Sequence, residues 1–205
     1  MRFLILTLML LISLESYGYS FAKNPIYHAI KILNKKIDKE KAMEYSNIIA
    51  KYSRLYSLDP FLLVSIARQE SHIVLNTSAG HLEEEVILQE DGEFVKRFIV
   101  TDMCMMQIHR SNVLRLKLDP NRLLTSADYC IHEGAKILQG FKYLIKTDSR
   151  WWSRYNASIL ERRREYEEFI LKHYKKIMDT VPNIYRTIKK YNSIPTIRKD
   201  GEVYL

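Results

Sequence analysis

Glu70 is the side chain of this sequence best placed for acid–base chemistry. It belongs to the segment PFLLVSIARQES, residues 60–71, and follows Leu63 by seven residues and Ile66 by four. On a helix it therefore shares their apolar stripe. A carboxyl group there loses water, which raises its pKa because the charged form is disfavoured. Still protonated near neutral pH, it can donate a proton to a glycosidic oxygen. Alternatives are a glutamate paired with an arginine or a helix-end side chain that turns to solvent.

The elements that position Glu70 are predicted to be helical. Periodicity indicates four helices, with Asp59-Pro60 starting the second and Ser126 capping the third; they cover residues 40–57, 60–71, 126–147 and 162–178. The fourth has a predicted inner face formed by Tyr166, Phe169, Ile170, His173 and Ile177. Two β-prone runs within 84–100 meet at Asp91-Gly92, a strong turn signal. The sequence predicts a mainly α domain with a small inserted β-hairpin.

The N-terminus has the layout of a secretory signal peptide. Arg2 precedes an apolar run at 3–14, and small residues then allow cleavage after Gly18, Ser20 or Ala22. An uncleaved anchor is the alternative, but the run falls short of the roughly twenty residues that span a bilayer. We expect a signal peptide at 1–22, one domain at 23–180, a tail at 181–205, and export to the periplasm, the cell wall or the medium.

Export changes the interpretation of the two cysteines and of the charge. Cys104 and Cys130 would meet an oxidising compartment, which favours a disulfide over two buried free thiols. Cysteine and histidine show no zinc spacing, so no metal or other cofactor is expected. The net charge of +8 suits an anionic cell wall as well as it suits solubility. A nucleic-acid partner rests on charge alone, and the signal peptide argues against it.

Four motifs in order carry a family resemblance. They are the Gln-Glu-Ser that ends the second helix, DMCMMQIH at 102–109, LDPNRLLTSADYCIHEGAKIL at 118–138 and WSRYNAS at 152–158. Together, over roughly residues 45–178, they resemble the lytic transglycosylases and goose-type lysozymes. The resemblance implies a lysozyme-like α+β domain that cuts peptidoglycan glycan strands. Glu70 would protonate the oxygen between N-acetylmuramic acid and N-acetylglucosamine. It would then take the proton of the muramyl 6-hydroxyl, which closes a 1,6-anhydro ring without consuming water.

The resemblance also implies substrate-binding positions. These are Ser71, Met106, Gln107, Tyr155 and Asn156. Gln107 and the methionine backbone would line the sugar cleft, although core packing is the alternative for Met106. Ser71 would hold the helix end, and Asn156 would orient its loop. The Tyr155 hydroxyl is expected within reach of Glu70, with Trp151 or Trp152 packed inward.

Departures from the family pattern leave other functions open. Cys104, His109 and Ser158 replace a glycine, an asparagine and a glycine, and residues 72–101 form a longer connection. One alternative is a hydrolytic muramidase, whose second acid would come from Glu83, Glu84, Glu85 or Asp102. Another is a non-catalytic module that binds cell wall or an assembly. The cysteine pair resembles that of small transglycosylases associated with secretion and envelope-spanning machinery, which implies such a partner.

Overall fold

The computed structural model describes residues 24–76, 82–88, 92–145, 148–156, 159–181, 196–197 and 203–204. The chain is mainly helical, with short antiparallel strand pairs between the helices. The helices are α1 Pro25–Leu33, α2 Lys39–Tyr56, α3 Pro60–Ser71, α4 Arg110–Arg115, α5 Pro120–Thr125, α6 Ala127–Leu144 and α7 Leu160–Thr180, with a 3-10 helix at Trp151–Tyr155. The strands are β1 Leu82–Leu88, β2 Phe94–Val100, β3 Asp102–Met103, β4 Ile108–His109, β5 Thr196–Ile197 and β6 Val203–Tyr204.

The four predicted helices are confirmed as α2, α3, α6 and α7, and the predicted cap Ser126 accepts a hydrogen bond from the Tyr129 amide. Helix α1 was not predicted. It begins with the N-cap Asn24 and Pro25, and buries Ile26, Ala29 and Ile30. The short helices α4 and α5 were also missed, since six residues carry too little periodicity to be recognised.

The predicted β-hairpin is present, with β1 and β2 paired antiparallel from Leu82 opposite Val100 to Leu88 opposite Phe94. Gly92 has a φ of 86°, a backbone conformation that favours glycine, in the connection between them. Asp91 and the side chains of Glu83, Glu84 and Glu85 lie outside the described residues.

Helix α3 lies at the centre of the domain. Every residue from Pro60 to Ala67 is buried, because α1, α2 and α7 all pack around this helix. The predicted inner face of α7 is right for Tyr166, Ile170 and Ile177 but wrong for Phe169, which is 43% exposed. Tyr174, which follows Ile170 by one turn, is buried on this face and was not predicted there. Only the last turn of α3 approaches the surface, so this end of the helix is accessible to solvent.

The predicted disulfide joins Cys104 to Cys130. It ties the turn between β3 and β4 to the first turn of α6. Cys104 has a φ of 63°, a left-handed conformation that glycine adopts without strain and other residues adopt at a cost of about 1 kcal/mol. The disulfide therefore holds a residue whose backbone conformation favours glycine.

No helix within the described ranges is both long enough and apolar enough to cross a bilayer. The candidate signal peptide, residues 1–22, and most of the tail lie outside those ranges.

Candidate active site

Glu70 lies in the last turn of α3, where the buried helix reaches the surface. Asp59 and Pro60 start the helix, and His72 ends it with a φ of 60°. The left-handed C-cap turns the chain away immediately after Ser71. Glu70 is consequently held by a rigid element whose preceding turns are fixed in the core, while its own side chain is half-buried.

The Glu70 carboxyl group is desolvated and receives a hydrogen bond from α7. The Tyr166 hydroxyl donates to Glu70 Oε1 at 2.6 Å. The pKa of Glu70 is raised to about 7: burial is the largest cause and the nearby charge of Asp102 adds to it, whereas hydrogen bonding from Tyr166 and the Asn156 side chain opposes the rise. The group therefore exists in both protonation states near neutral pH, as a general acid that becomes a general base requires.

The turn 104–107 packs beneath this end of α3. The Ser71 hydroxyl donates to the Met105 carbonyl at 2.9 Å, so the residue next to Glu70 is fastened to the turn. Gln107 has a φ of 45°, and its side-chain amide donates to the Cys104 carbonyl at 2.8 Å. Ser71 has the expected role of holding the helix end. Gln107 closes its own turn and is only half-buried.

Met106 belongs to the core by its side chain, which is 1% exposed. A Cβ atom on Gly134 of α6 would lie 2.8 Å from the Met106 Cγ. Glycine is therefore required there, because any larger residue would displace the methionine. The Met106 carbonyl remains at the site and accepts a hydrogen bond of 2.7 Å from the Tyr155 hydroxyl.

The Tyr155 hydroxyl thus bonds the turn beneath Glu70, and the tyrosine that donates a hydrogen bond to Glu70 itself is Tyr166. Burial raises the pKa of Tyr155 well above its usual value, and the charges of Glu70 and Asp102 raise it further, so the phenol is a neutral donor near the site. The expectation that a tryptophan packs inward is confirmed by Trp152, which is fully buried and lies beside Tyr166 with ring centroids 6.5 Å apart.

Ion pairs fix the 3-10 helix against α7. Arg150 donates to Glu167 at 2.6 Å, and Arg163 donates both to Asp148 at 2.8 Å and to the Ser153 hydroxyl at 3.1 Å. Both partners on α7, Arg163 and Glu167, are buried. The charged face of α7 is thus not wholly a solvated surface, because two of its charges hold the segment that carries Tyr155 and Asn156.

The remaining predicted positions are distributed as follows. Asn156 is exposed and near enough to Glu70 to lower its pKa, a more direct role than orienting a loop. Asp102 accepts a hydrogen bond of 2.7 Å from the Thr101 hydroxyl and adds negative charge near Glu70. His109 caps α4 at an exposed position through a bond to the Ser111 amide. Ser158 lies outside the described residues.

Sequence reasoning missed the role of Tyr166, although a signal was present. Tyr166 and Tyr174 lie eight residues apart on the apolar stripe of α7, and buried tyrosine hydroxyls need polar partners. The carboxyl groups at the two ends of α3 are the natural acceptors. Within the described part of the chain, no three histidine, cysteine or carboxylate side chains converge in a way that could hold a metal ion.

Comparisons with protein-family models, with curated proteins and with solved structures find no match for this chain.

Proposed function

We propose that this protein is a peptidoglycan lytic transglycosylase with a lysozyme-like fold, exported from the cell, in which Glu70 is the single acid/base. The observation that carries the proposal is the Glu70 carboxyl group, which is desolvated at the exposed end of a buried helix and has a pKa of about 7. The four ordered motifs and the disulfide Cys104–Cys130 support it.

In the proposed reaction, protonated Glu70 gives its proton to the oxygen that links N-acetylmuramic acid to N-acetylglucosamine. The bond from the muramyl C1 to that oxygen breaks, and the N-acetylglucosamine leaves with a free hydroxyl. The Glu70 carboxylate then accepts the proton of the muramyl 6-hydroxyl, and the oxygen of this hydroxyl forms a bond to C1 of the same sugar. The hydrogen bond from Tyr166 at 2.6 Å stabilises this carboxylate between the two steps.

The Asn156 side chain is close enough to the Glu70 carboxyl group to contact a substrate bound there. Its amide is exposed and can form hydrogen bonds with the acetamido groups of the glycan. Gln107 lies in the adjacent turn. Ser71 and Tyr155 have indirect roles. Their hydroxyl groups donate hydrogen bonds to the Met105 and Met106 carbonyls and so fix the turn 104–107 against α3.

A hydrolytic muramidase is the second candidate, and Asp102 favours it. Its charge acts on Glu70, and its carboxylate could activate a water molecule on the opposite side of the sugar. The transglycosylase is preferred because Asp102 already accepts a hydrogen bond from Thr101 and the internal 6-hydroxyl requires no second acid.

The deciding experiment digests purified peptidoglycan with the wild-type protein and with Glu70→Gln and reads the products by mass. The transglycosylase yields anhydromuropeptides, which are lighter by one water than hydrolysed ones, and Glu70→Gln yields neither. Hydrolysed products that disappear in Asp102→Asn would establish the second candidate. Absence of any product from folded wild-type protein would leave a non-catalytic cell-wall or assembly module.

A further inference from the structure

A cluster of positive side chains surrounds the outer side of the same helix end. Arg68 lies in the last turn of α3 and His72 is the C-cap of this helix, whereas Lys172 and Lys176 are one turn apart on α7. Between them lies His173, whose Nε2 is 3.3 Å from the Gln69 Oε1, so this contact joins the two helices in the middle of the cluster. Lys172, Lys176 and His72 are exposed, and Arg68 is half-buried.

These cations act together on the imidazole at their centre. The pKa of His173 is lowered to about 4, mainly by desolvation and also by the charges of Arg68, Lys172, Lys176 and His72. The imidazole is therefore neutral at neutral pH. The cations come from the ends of two helices that meet at the contact between His173 and Gln69, because Arg68 adjoins Gln69 and Lys172 adjoins His173 in the chain.

No counter-ion compensates the cluster. Among the residues that the structure describes, no carboxylate forms an ion pair with Arg68, Lys172 or Lys176. Lys172 and Lys176 are one turn apart, and like charges at this spacing destabilise a helix. On the same helix, by contrast, Arg163 and Glu167 each form an ion pair. Within the described ranges, the cluster is thus a positively charged surface without an anionic partner.

We propose that this cluster, Arg68, His72, Lys172 and Lys176, binds the carboxylates of the peptide stem carried by the muramyl residue of the substrate. The proposal rests on the proposed function, because it takes the glycan to be bound at Glu70. Peptide stems carry the carboxylates of a peptidoglycan strand, and the cluster has the complementary charge.

The distances on the helix allow this contact. Arg68 and His72 each lie two residues from Glu70, which is about 3 Å along the helix axis, and a helix with its side chains is about 10 Å across. A stem of four residues extends over about 14 Å. A stem attached to the sugar at Glu70 therefore reaches round the end of α3 to the cluster, whereas the Glu70 side of the helix remains for the glycan.

The test compares soluble glycan strands that carry their stems with strands from which an amidase has removed them. The variant is Arg68→Gln/Lys172→Gln/Lys176→Gln. Its matched control is Lys39→Gln/Lys117→Gln/Arg164→Gln, which removes the same charge from exposed residues outside the cluster. Exposed charge pairs contribute about 0.2 to 1 kcal/mol each, and about 1.4 kcal/mol is a factor of ten. We expect kcat/KM on stem-bearing strands to fall about tenfold in the cluster variant, with no change on stem-free strands, and the control to behave as wild type.

A binding arm separates failure of this inference from failure of the proposed function. In a Glu70→Gln background, co-sedimentation with intact and amidase-treated sacculi measures binding without cleavage. Stem-dependent binding that the cluster variant loses supports the inference even if the wild-type protein cuts nothing. Cleavage and binding that are equally affected on both kinds of strand would overturn it while leaving the proposed function intact. Retained stem dependence, with lost binding to phosphatidylglycerol-containing vesicles, would overturn it in favour of a lipid surface.

Discussion

Each end of α3 carries a carboxyl group that accepts a hydrogen bond from a tyrosine, but the surroundings of the two groups differ. At the N-terminal end, Asp59 accepts a hydrogen bond from Tyr174 at 2.5 Å; at the C-terminal end, Glu70 accepts one from Tyr166 at 2.6 Å. Both tyrosines belong to α7. Burial raises the pKa of both carboxyl groups, to about 6 for Asp59 and about 7 for Glu70.

The difference lies in the other partners of each carboxyl group. Asp59 also accepts from the Phe61 amide at 2.7 Å and the Leu62 amide at 3.4 Å, and it is only 6% exposed. Its acceptor positions are therefore filled, as expected for a buried helix cap. The Glu70 carboxyl group, by contrast, has hydrogen bonds from the Tyr166 hydroxyl and from the exposed side chain of Asn156, and Glu70 is half-buried. Under the proposed function, desolvation alone would thus not make a carboxyl group catalytic, because the group must also keep a side open to another molecule.

The strongest way to test this contrast is to remove each carboxyl group separately. Glu70→Gln should lower peptidoglycan cleavage about a hundred- to ten-thousand-fold, because general acid–base catalysis is lost. It should not weaken the fold. The folded pKa of Glu70 is raised from 4.5 to about 7, so its stabilising contribution is present below about pH 4.5 and lost as the pH rises through 7. Glu70→Gln should therefore match wild type in acid and exceed its free energy of unfolding at pH 8 by about 1 to 3 kcal/mol.

Asp59→Ala should give the opposite pattern. Loss of the cap and of the acceptor for the buried Tyr174 hydroxyl should lower the free energy of unfolding by about 2 to 4 kcal/mol. Cleavage per folded molecule should remain, because Asp59 lies at the far end of the helix. Denaturant unfolding and a turnover assay on both variants test the contrast. Loss of turnover in folded Asp59→Ala would show that the two ends are not separable.

A smaller effect is expected from the disulfide, which supports only the Glu70 end. Its cysteines are separated by 26 residues, for which the chain-entropy estimate is about 3 kcal/mol. Cys104→Ala/Cys130→Ala should lose that stability, and hydrogen exchange should quicken in the turn 104–107 while the first turn of α3 keeps its protection. Cys130→Ala alone serves as the control and should be as unstable as the double variant. Thiol titration of the unfolded, non-reduced wild-type protein should find no free thiol; two free thiols would contradict the pairing.

The same contrast explains what the sequence could predict. The helix 60–71, the cap at Asp59 and the position of Glu70 follow from local pattern, because spacing and capping residues lie within one segment. The partners of both carboxyl groups lie on α7, about a hundred residues later, and no local pattern joins them. The motif at 152–158 led to the prediction that Tyr155 lies near Glu70 and gave no indication of Tyr166. A motif shows which residues occur together in a sequence, but it does not show which hydroxyl group donates to which oxygen.

The smallest change that tests the comparison removes the hydroxyl group of each of the two tyrosines near the site. Tyr166→Phe removes a hydrogen bond that stabilises the Glu70 carboxylate and lowers its pKa. The pKa of Glu70 should therefore rise, and the alkaline limb of the pH–activity profile should move to higher pH. Turnover should fall about tenfold, since a hydrogen bond to a charged group contributes about 1.5 to 3 kcal/mol and only part of it acts in the reaction. Tyr155→Phe removes a bond to a neutral carbonyl, so it should cost about 1 kcal/mol of stability and leave the pH profile in place. Measuring melting and the full profile on both variants separates the two roles. A shifted profile in Tyr155→Phe, with none in Tyr166→Phe, would return the catalytic contact to Tyr155 and require the helix end to rearrange when substrate binds.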